Sequence, residues 1–592
     1  MKDTAIESID KSITSETVKK IYQERSNFII IGLTGRTGSG CTKVAEILSG
    51  KHLSLREPKK KDYKDSDERK YNVIYNYINA DWREFTIIKM TNIIAYFIFK
   101  EQYKDLIEYL VRLNTTEGCN IPQFENLKNE LDMLEGDFDN VRINFKDEMW
   151  IKEIPTLTLQ LKNILKNYTY KYNDKSNDDK KKRIHSQLYT YLFQSIGNNI
   201  RSSGNPYDRQ SIKSENISTL AEKANELIQI LRKNNGGKGL FCIDAIRNPY
   251  EATYFKDRHA AFYLFSINTE DENRRKRLKY LDATEIKSLD EKEYPSEETF
   301  IKSFYHQNIR MCIELSDIHI YNPNVIDGSY YYLTEQLAKY VALIKHPGLI
   351  TPTRVERCMQ LAYNAKLNSG CLSRQVGAVI TDVNYSTKAV GWNDVPEGQI
   401  PCNLRDIRTF CINKDSESYS FYEITDKKFG NLLDTVNSDI HYDGLNGHLH
   451  PYCFKDVYNT IKKNKDKSYT RSLHAEENAF LQITKYGGQG IKGGNLFTTA
   501  SSCELCSKKA FQLGIKNIYY IDPYPGISEN HILDFGNDTD RKPKLILFSG
   551  AIGSAYTSLY TQRIAYKDEL ALLTGIEYEK ELEKCNKNEL NE

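Results

Sequence analysis

The chain has 592 residues, and 82 Lys and Arg against 80 Asp and Glu leave a formal net charge of +2. Charge this balanced excludes a nucleic-acid coat or a polybasic membrane binder, because both need a sustained field of one sign. With 40% hydrophobic and 27% charged residues the composition is that of a folded globular protein, and at about 150 residues per domain it fits two large domains or roughly four smaller ones. Met1 to Asn27 is polar and lacks the apolar stretch of a secretory signal. The longest apolar runs, Phe28 to Leu33 and Ile93 to Phe99, are too short to span a bilayer, so the expectation is a cytoplasmic protein that does not contact a membrane. The 12 cysteines are spread along the chain, as buried thiols or metal ligands would be, and Cys503 and Cys506 form the one pair with CxxC spacing.

In chain order, Phe28 to Leu33 predicts a strand, followed by a glycine-rich turn and a helix from Thr42 to Leu48. Helical periodicity with sparse strand signals predicts a helical insertion over about 85–170, and Lys175 to Arg183 reads as a solvated hinge. Leu240 to Ala245 and Ala261 to Ile267 are further strands, each followed by helix-forming sequence, so the first half predicts a parallel α/β sheet. A Pro/Gly break at His346-Pro347-Gly348 marks the main boundary, giving domains 1–345 and 346–592. Beyond it the pattern predicts helix Thr353–Leu367, strands Val376–Thr381 and Lys388–Trp392, a polar insertion over about 401–470, helix Ala475–Lys485, strand Asn495–Thr499, helix Glu504–Leu513, strand Asn517–Ile521 and a C-terminal extension.

Two motifs carry chemistry. The run Gly35-Arg36-Thr37-Gly38-Ser39-Gly40-Cys41-Thr42 fits the phosphate-binding spacing G-x-x-x-x-G-K-[ST] except that Cys41 stands where lysine should reach the β- and γ-phosphates. Such a loop turns backbone N–H groups toward phosphate oxygens, and Thr42 would offer its hydroxyl to Mg²⁺ beside a nucleotide. Lys43 points about 200° around the helix from that position, so it substitutes poorly. The second motif is His474-Ala475-Glu476, with Cys503-Glu-Leu-Cys506 starting 27 positions beyond Glu476. It matches the H-x-E … C-x-x-C signature of zinc nucleobase deaminases. One imidazole and two thiolates leave a fourth tetrahedral position for water, as a catalytic Zn²⁺ requires, whereas a structural zinc ribbon would need a fourth protein ligand. Glu476 is placed to move protons between that water, the pyrimidine N3 and the leaving amine.

The first half resembles P-loop kinases of the nucleotide and dephospho-coenzyme A type, through the glycine loop, Asp244-Ala-Ile-Arg-Asn-Pro249 and the Arg-rich run Asn273 to Arg277. That resemblance implies Asp244 near Mg²⁺ and Arg274 and Arg277 as phosphate contacts, while the loss of the lysine implies a nucleotide-binding or sensing domain rather than a working kinase. From Thr351 to Pro525 the chain resembles the deoxycytidylate deaminase family, through Cys371 to Ile380, Gly391-Trp-Asn393-Asp-Val-Pro396-Glu-Gly398, the HAE motif, Phe497-Thr-Thr and Ala510 to Tyr520. One departure is Ser502 in place of the usual proline before the first cysteine. The resemblance implies a cytidine-deaminase-like three-layer α/β/α domain, an Asn393 contact to the nucleotide sugar, a Lys485 contact to its phosphate, and a homo-oligomer. It also places Cys371 and Cys402 where some members hold a structural zinc, with His441, His448, His450 and Cys453 as candidates to complete the set.

The two halves together, with the tail Leu547 to Gly553 and Tyr566 to Glu569, resemble bacterial anti-phage dCTP deaminases. That resemblance implies conversion of free dCTP and dCMP to the uracil forms, and in some members restraint by an inhibitory small RNA. Three alternatives stay open: a nucleic-acid deaminase, which needs an electrostatic track and stacking platforms, a metabolic dCMP deaminase with an accessory kinase-like domain, and a regulator whose main activity is binding RNA or a phage partner.

Overall fold

The computed structural model describes residues 11–58, 65–115, 119–173, 183–279, 281–293, 302–323, 329–466, 468–487, 490–522, 527–576 and 578–589. The chain divides into two compact units: Met1–Thr351 with Thr557–Glu592, and Pro352–Tyr556. Among the described residues no helix is long and apolar enough to cross a membrane.

The first unit is built on strands β1 (Phe28–Thr34), β2 (Thr86–Lys89), β6 (Gly239–Asp244), β7 (Phe262–Asn268) and β8 (Ile318–Tyr321), with a small antiparallel sheet of β3 (Cys119–Asn120), β4 (Thr169–Asn173) and β5 (Arg183–Gln187) lying between β2 and β6 in sequence. Within this unit the large sheet runs β8-β7-β1-β6-β2, parallel throughout. Its centre is buried on both faces, which is why β1 and β7 read as near-continuous apolar runs: Ile29, Ile30, Ile31 and Leu33 are fully buried, and every residue of β7 is buried.

The sequence starts the helical insertion at about 85, yet Thr86–Lys89 is a sheet strand, with Lys89 paired in register to Asp244. Its four residues are too few to show an alternation beside the apolar helix that follows them, Met90–Lys100. The insertion itself packs Ile93, Phe99, Leu106, Phe138, Trp150 and Leu161 into one core. Of the predicted hinge, only Arg183 is described, as the first residue of β5.

The predicted C-terminal extension belongs, from Thr557 onward, to the first unit rather than the second. The buried Glu569 carboxylate accepts the Tyr22 hydroxyl at 3.0 Å and pairs with His346 Nε2 at 2.6 Å. No local pattern announces contacts between residues 547 and 223 positions apart.

In the second unit β9 (Gly377–Thr381), β10 (Thr387–Trp392), β11 (Asn495–Thr498), β12 (Asn517–Tyr520) and β13 (Lys544–Leu547) pair in the order β10-β9-β11-β12-β13. Two glycines on opposite faces let helices sit directly on the sheet. A Cβ at Gly377 would lie 2.0 Å from Ala362 O in the Arg354–Lys366 helix, and one at Gly391 would lie 2.4 Å from Ala475 O in the Ala475–Tyr486 helix. The result is helices on both faces of the sheet.

Among its described residues the polar insertion forms four α-helices, Ile407–Asn413, Phe421–Thr425, Lys427–Asp439 and Phe454–Lys462, around Phe410, Tyr419, Phe429, Leu433 and Tyr452. What ties it together is the ion pair of Arg405 with Glu423, both essentially unexposed, to which the Tyr452 hydroxyl donates at 2.7 Å. Burial alone would raise the Glu423 carboxyl, but Arg405, the Ser420 backbone and Tyr452 hold it below its usual range. Replacing Glu423 by Ala strands the Arg405 guanidinium in this core, so denaturant unfolding should show a loss of about 3–5 kcal/mol; a loss under about 1 kcal/mol would mean the pair does not organise the insertion.

Candidate active site

The chain leaving the polar insertion delivers His474 as the N-cap of the Ala475–Tyr486 helix, which puts Glu476 in its first turn, buried. From the other side Cys503 caps the Glu504–Gln512 helix and Cys506 sits in its first turn. His474 Nδ1 lies 3.3 Å from Cys503 Sγ and 3.5 Å from Cys506 Sγ. Tetrahedral zinc with one nitrogen and two sulfur ligands at about 2.1 and 2.3 Å sets these atoms about 3.5 Å apart, so the residues fit that metal. Helix N-termini favour the negative charge of the thiolates. Among the described residues this is the only His, Cys, Asp or Glu group whose ligand atoms converge as a metal set. Cys371, Cys402, His441, His448, His450 and Cys453 do not form a second.

Glu476 is not part of the convergent set. Its carboxylate accepts the Thr498 hydroxyl at 3.2 Å from the end of β11. Burial pushes its carboxyl above the usual range and Cys503 adds to this, while its own backbone N–H, His474 and Thr498 oppose. Ser502, at the position of the missing proline, is buried and takes a hydrogen bond from Ser507 Oγ at 3.1 Å, which ties the cysteine turn to the helix behind it.

The other expected residues are placed differently. The Asn393 side chain is buried and satisfied by backbone: Oδ1 accepts Val376 N–H at 2.6 Å and Nδ2 donates to Arg374 O at 2.7 Å, so it holds the 374–376 turn. Lys485 is half-exposed and ion-paired to Glu397. At 1.5 Å per residue it stands about 16 Å along the helix from His474; a shared helix face is not proximity. Sequence reasoning gave no role to Thr498, although the Phe497-Thr-Thr run contains it, because its contact joins a strand end to a helix 22 residues earlier.

In the first unit the glycine loop joins β1 to the Cys41–Leu48 helix. Gly40, the N-cap, has φ 111°, and a Cβ there would meet Asn322 Nδ2 at 2.3 Å. Gly38 has φ 87°. Ser39 N–H donates to Arg36 O at 2.9 Å, closing the turn. Thr42 Oγ1 donates to Asp244 Oδ2 at 3.1 Å, a hydroxyl and carboxylate that fit Mg²⁺. The Cys41 thiol is pushed up to about 12 by burial and by Asp244, so it brings no charge to the loop. Arg274 and Arg277, expected at phosphate, instead hold the loop: Arg274 donates to Thr37 O at 2.6 Å and pairs with Asp290 at 2.6 Å, and Arg277 donates to Ser39 O at 3.0 Å and Pro323 O at 2.7 Å.

Residues 352–522 match the family described as the cytidine and deoxycytidylate deaminase zinc-binding region. The chain is an enzyme, a zinc-binding deaminase that hydrolyses a C–N bond. Among its relatives are the deoxycytidylate deaminase of Enterobacteria phage T2, 27% identical over 175 residues covering 28% of this chain and 78% of the relative, and that of phage T4, 26% identical over 175 residues covering 28% and 76%. The crystal structure of dCMP deaminase from the cyanophage S-TIM5 in apo form is 20% identical and covers 34% of this chain and all of that one, with a TM-score of 0.19.

Proposed function

We propose that the chain deaminates free deoxycytidine nucleotides, dCTP and dCMP, to the deoxyuridine forms, with the first unit binding a nucleotide as a regulator. The observation that carries this is the convergence of His474, Cys503 and Cys506 beside a buried Glu476, in a stretch related to deoxycytidylate deaminases. Zn²⁺, when bound, supplies an acidified water at its open position. Glu476 would carry two protons of the attacking water in turn, the first to N3 of the cytosine and the second to the leaving amine, and the Thr498 hydroxyl holds the carboxylate's orientation for both transfers. Burial excludes competing solvent from the carboxylate.

Depletion of deoxycytidine nucleotides would starve a replicating phage, and the pairing of the two units supports that role, with a cytoplasmic homo-oligomer and an inhibitory small RNA as its setting. The near-neutral charge favours a free nucleotide over a nucleic-acid strand. Purified protein offered dCTP, dCMP, cytidine and single-stranded DNA is expected to release ammonia from the two nucleotides at least about a hundredfold faster than from the strand. Equal or faster release from DNA would overturn the reading.

A further inference from the structure

The cations around the glycine loop are nearly all committed. Arg36 pairs with Asp271 and Asp290, Arg274 with Asp290, Arg247 with Glu293 at 2.7 Å, and Lys43 with Glu46 at 3.2 Å. Arg277 spends its donors on backbone carbonyls. Glu293 itself is fully buried and also takes the Thr37 N–H at 3.1 Å. None of these arginines is left to replace the lysine absent at position 41.

Among the described residues, Lys89 and Lys162 are not paired with a carboxylate. Lys89 ends β2 and is the register partner of Asp244 at the end of β6, which places it at the carboxyl edge of the sheet, the side on which open α/β sheets take their ligands. Lys162 comes from the Met149–Lys166 helix of the insertion, with Nζ 5.4 Å from the centre of the Tyr189 ring. Among the described residues neither has a carboxylate within ion-pair distance. Lys89 and Lys162 lie within electrostatic reach of Asp244, and of each other. Burial and the neighbouring Lys166 and Lys89 push the Lys162 ammonium below its usual range, while Asp244 partly offsets them. Lys89, in register with Asp244, and Lys162, within electrostatic reach of it, bring cations near the Thr42–Asp244 pair, a site short of negative charge.

We propose that Lys89 and Lys162 supply the counter-charge that Cys41 cannot, and that together with Asp244 and Thr42 they hold the polyphosphate of a magnesium nucleoside triphosphate. This deepens the regulator reading and rests on it. In effect the helical insertion closes the phosphate site of the sheet from outside, so that ligand binding and the placement of the insertion are coupled.

The test is calorimetric titration of the full-length chain with MgATP and with inorganic triphosphate, neither of which carries a cytosine. Lys89→Met and Lys162→Met should each weaken both ligands on the order of tenfold, and the double variant more. Putting the charge back at its missing position, Cys41→Lys in the double variant, should recover most of the loss, which a merely structural role for the lysines would not allow. Wild-type binding that survives both substitutions would overturn the proposal and leave the nucleotide reading standing. Binding by the single variant Cys41→Lys but not by wild type would also overturn it. Binding by neither would remove the nucleotide reading itself and the proposal with it.

Discussion

Glu476→Gln is expected to lower kcat by about 10²–10⁴-fold while zinc content stays at the wild-type level. The amide fills the same volume and still accepts the Thr498 hydroxyl, so packing and the strand-to-helix contact survive. What it loses is the capacity to take a proton, which is worth that factor for a general acid–base group. Zinc retention follows because the ligand set is His474, Cys503 and Cys506, without Glu476. Thr498→Val is the informative companion: it keeps the carboxylate but frees its rotamer, and should cost on the order of tenfold in kcat. Steady-state ammonia release with metal analysis of the same samples checks both. A Gln variant retaining more than a tenth of wild-type kcat would place the proton shuttle elsewhere.

The parts of this site that were legible in the sequence are those encoded by spacing within one turn. His474 and Glu476 flank one helix start, Cys503 and Cys506 another, and capping geometry alone aims each pair. Strands β9 to β12 and the Arg354–Lys366, Ala475–Tyr486 and Glu504–Gln512 helices also fall close to their expected bounds, because each is short and bracketed by turn residues, whereas β13 and the helices of the insertion were not expected. Long-range pairings were not legible. The Arg-rich run Asn273 to Arg277 looks like a phosphate clamp in isolation, but Asp290 lies on a separate helix, Ala283–Glu293, and neutralises Arg274. The insertion's cysteines and histidines look like a metal staple, yet the buried Arg405–Glu423 pair and an aromatic cluster do that work. Composition shows which groups are present; only the fold shows which of them are already paired.

His474→Ala or Cys506→Ala is expected to abolish activity and to drop zinc below about 0.1 per chain, since three protein ligands leave no redundancy. The loss should extend to stability. Both sulfurs approach the same imidazole nitrogen, at 3.3 and 3.5 Å, and both start one helix. A cation between them therefore joins the Glu504–Gln512 helix to the Ala475–Tyr486 helix, and it stabilises the folded unit by an amount that grows with the logarithm of free zinc over its dissociation constant, about 2.7 kcal/mol at a hundredfold excess. Stripping the wild type with a chelator should lower the unfolding midpoint of the second unit, and adding zinc back should restore it. Cys506→Ala should unfold at the lower midpoint with or without zinc, whereas Glu476→Gln, dead as a catalyst, should still respond to the metal in full. A Glu476→Gln protein blind to zinc would mean that the carboxylate helps hold the metal, and the division of labour drawn here between ligands and proton shuttle would fail.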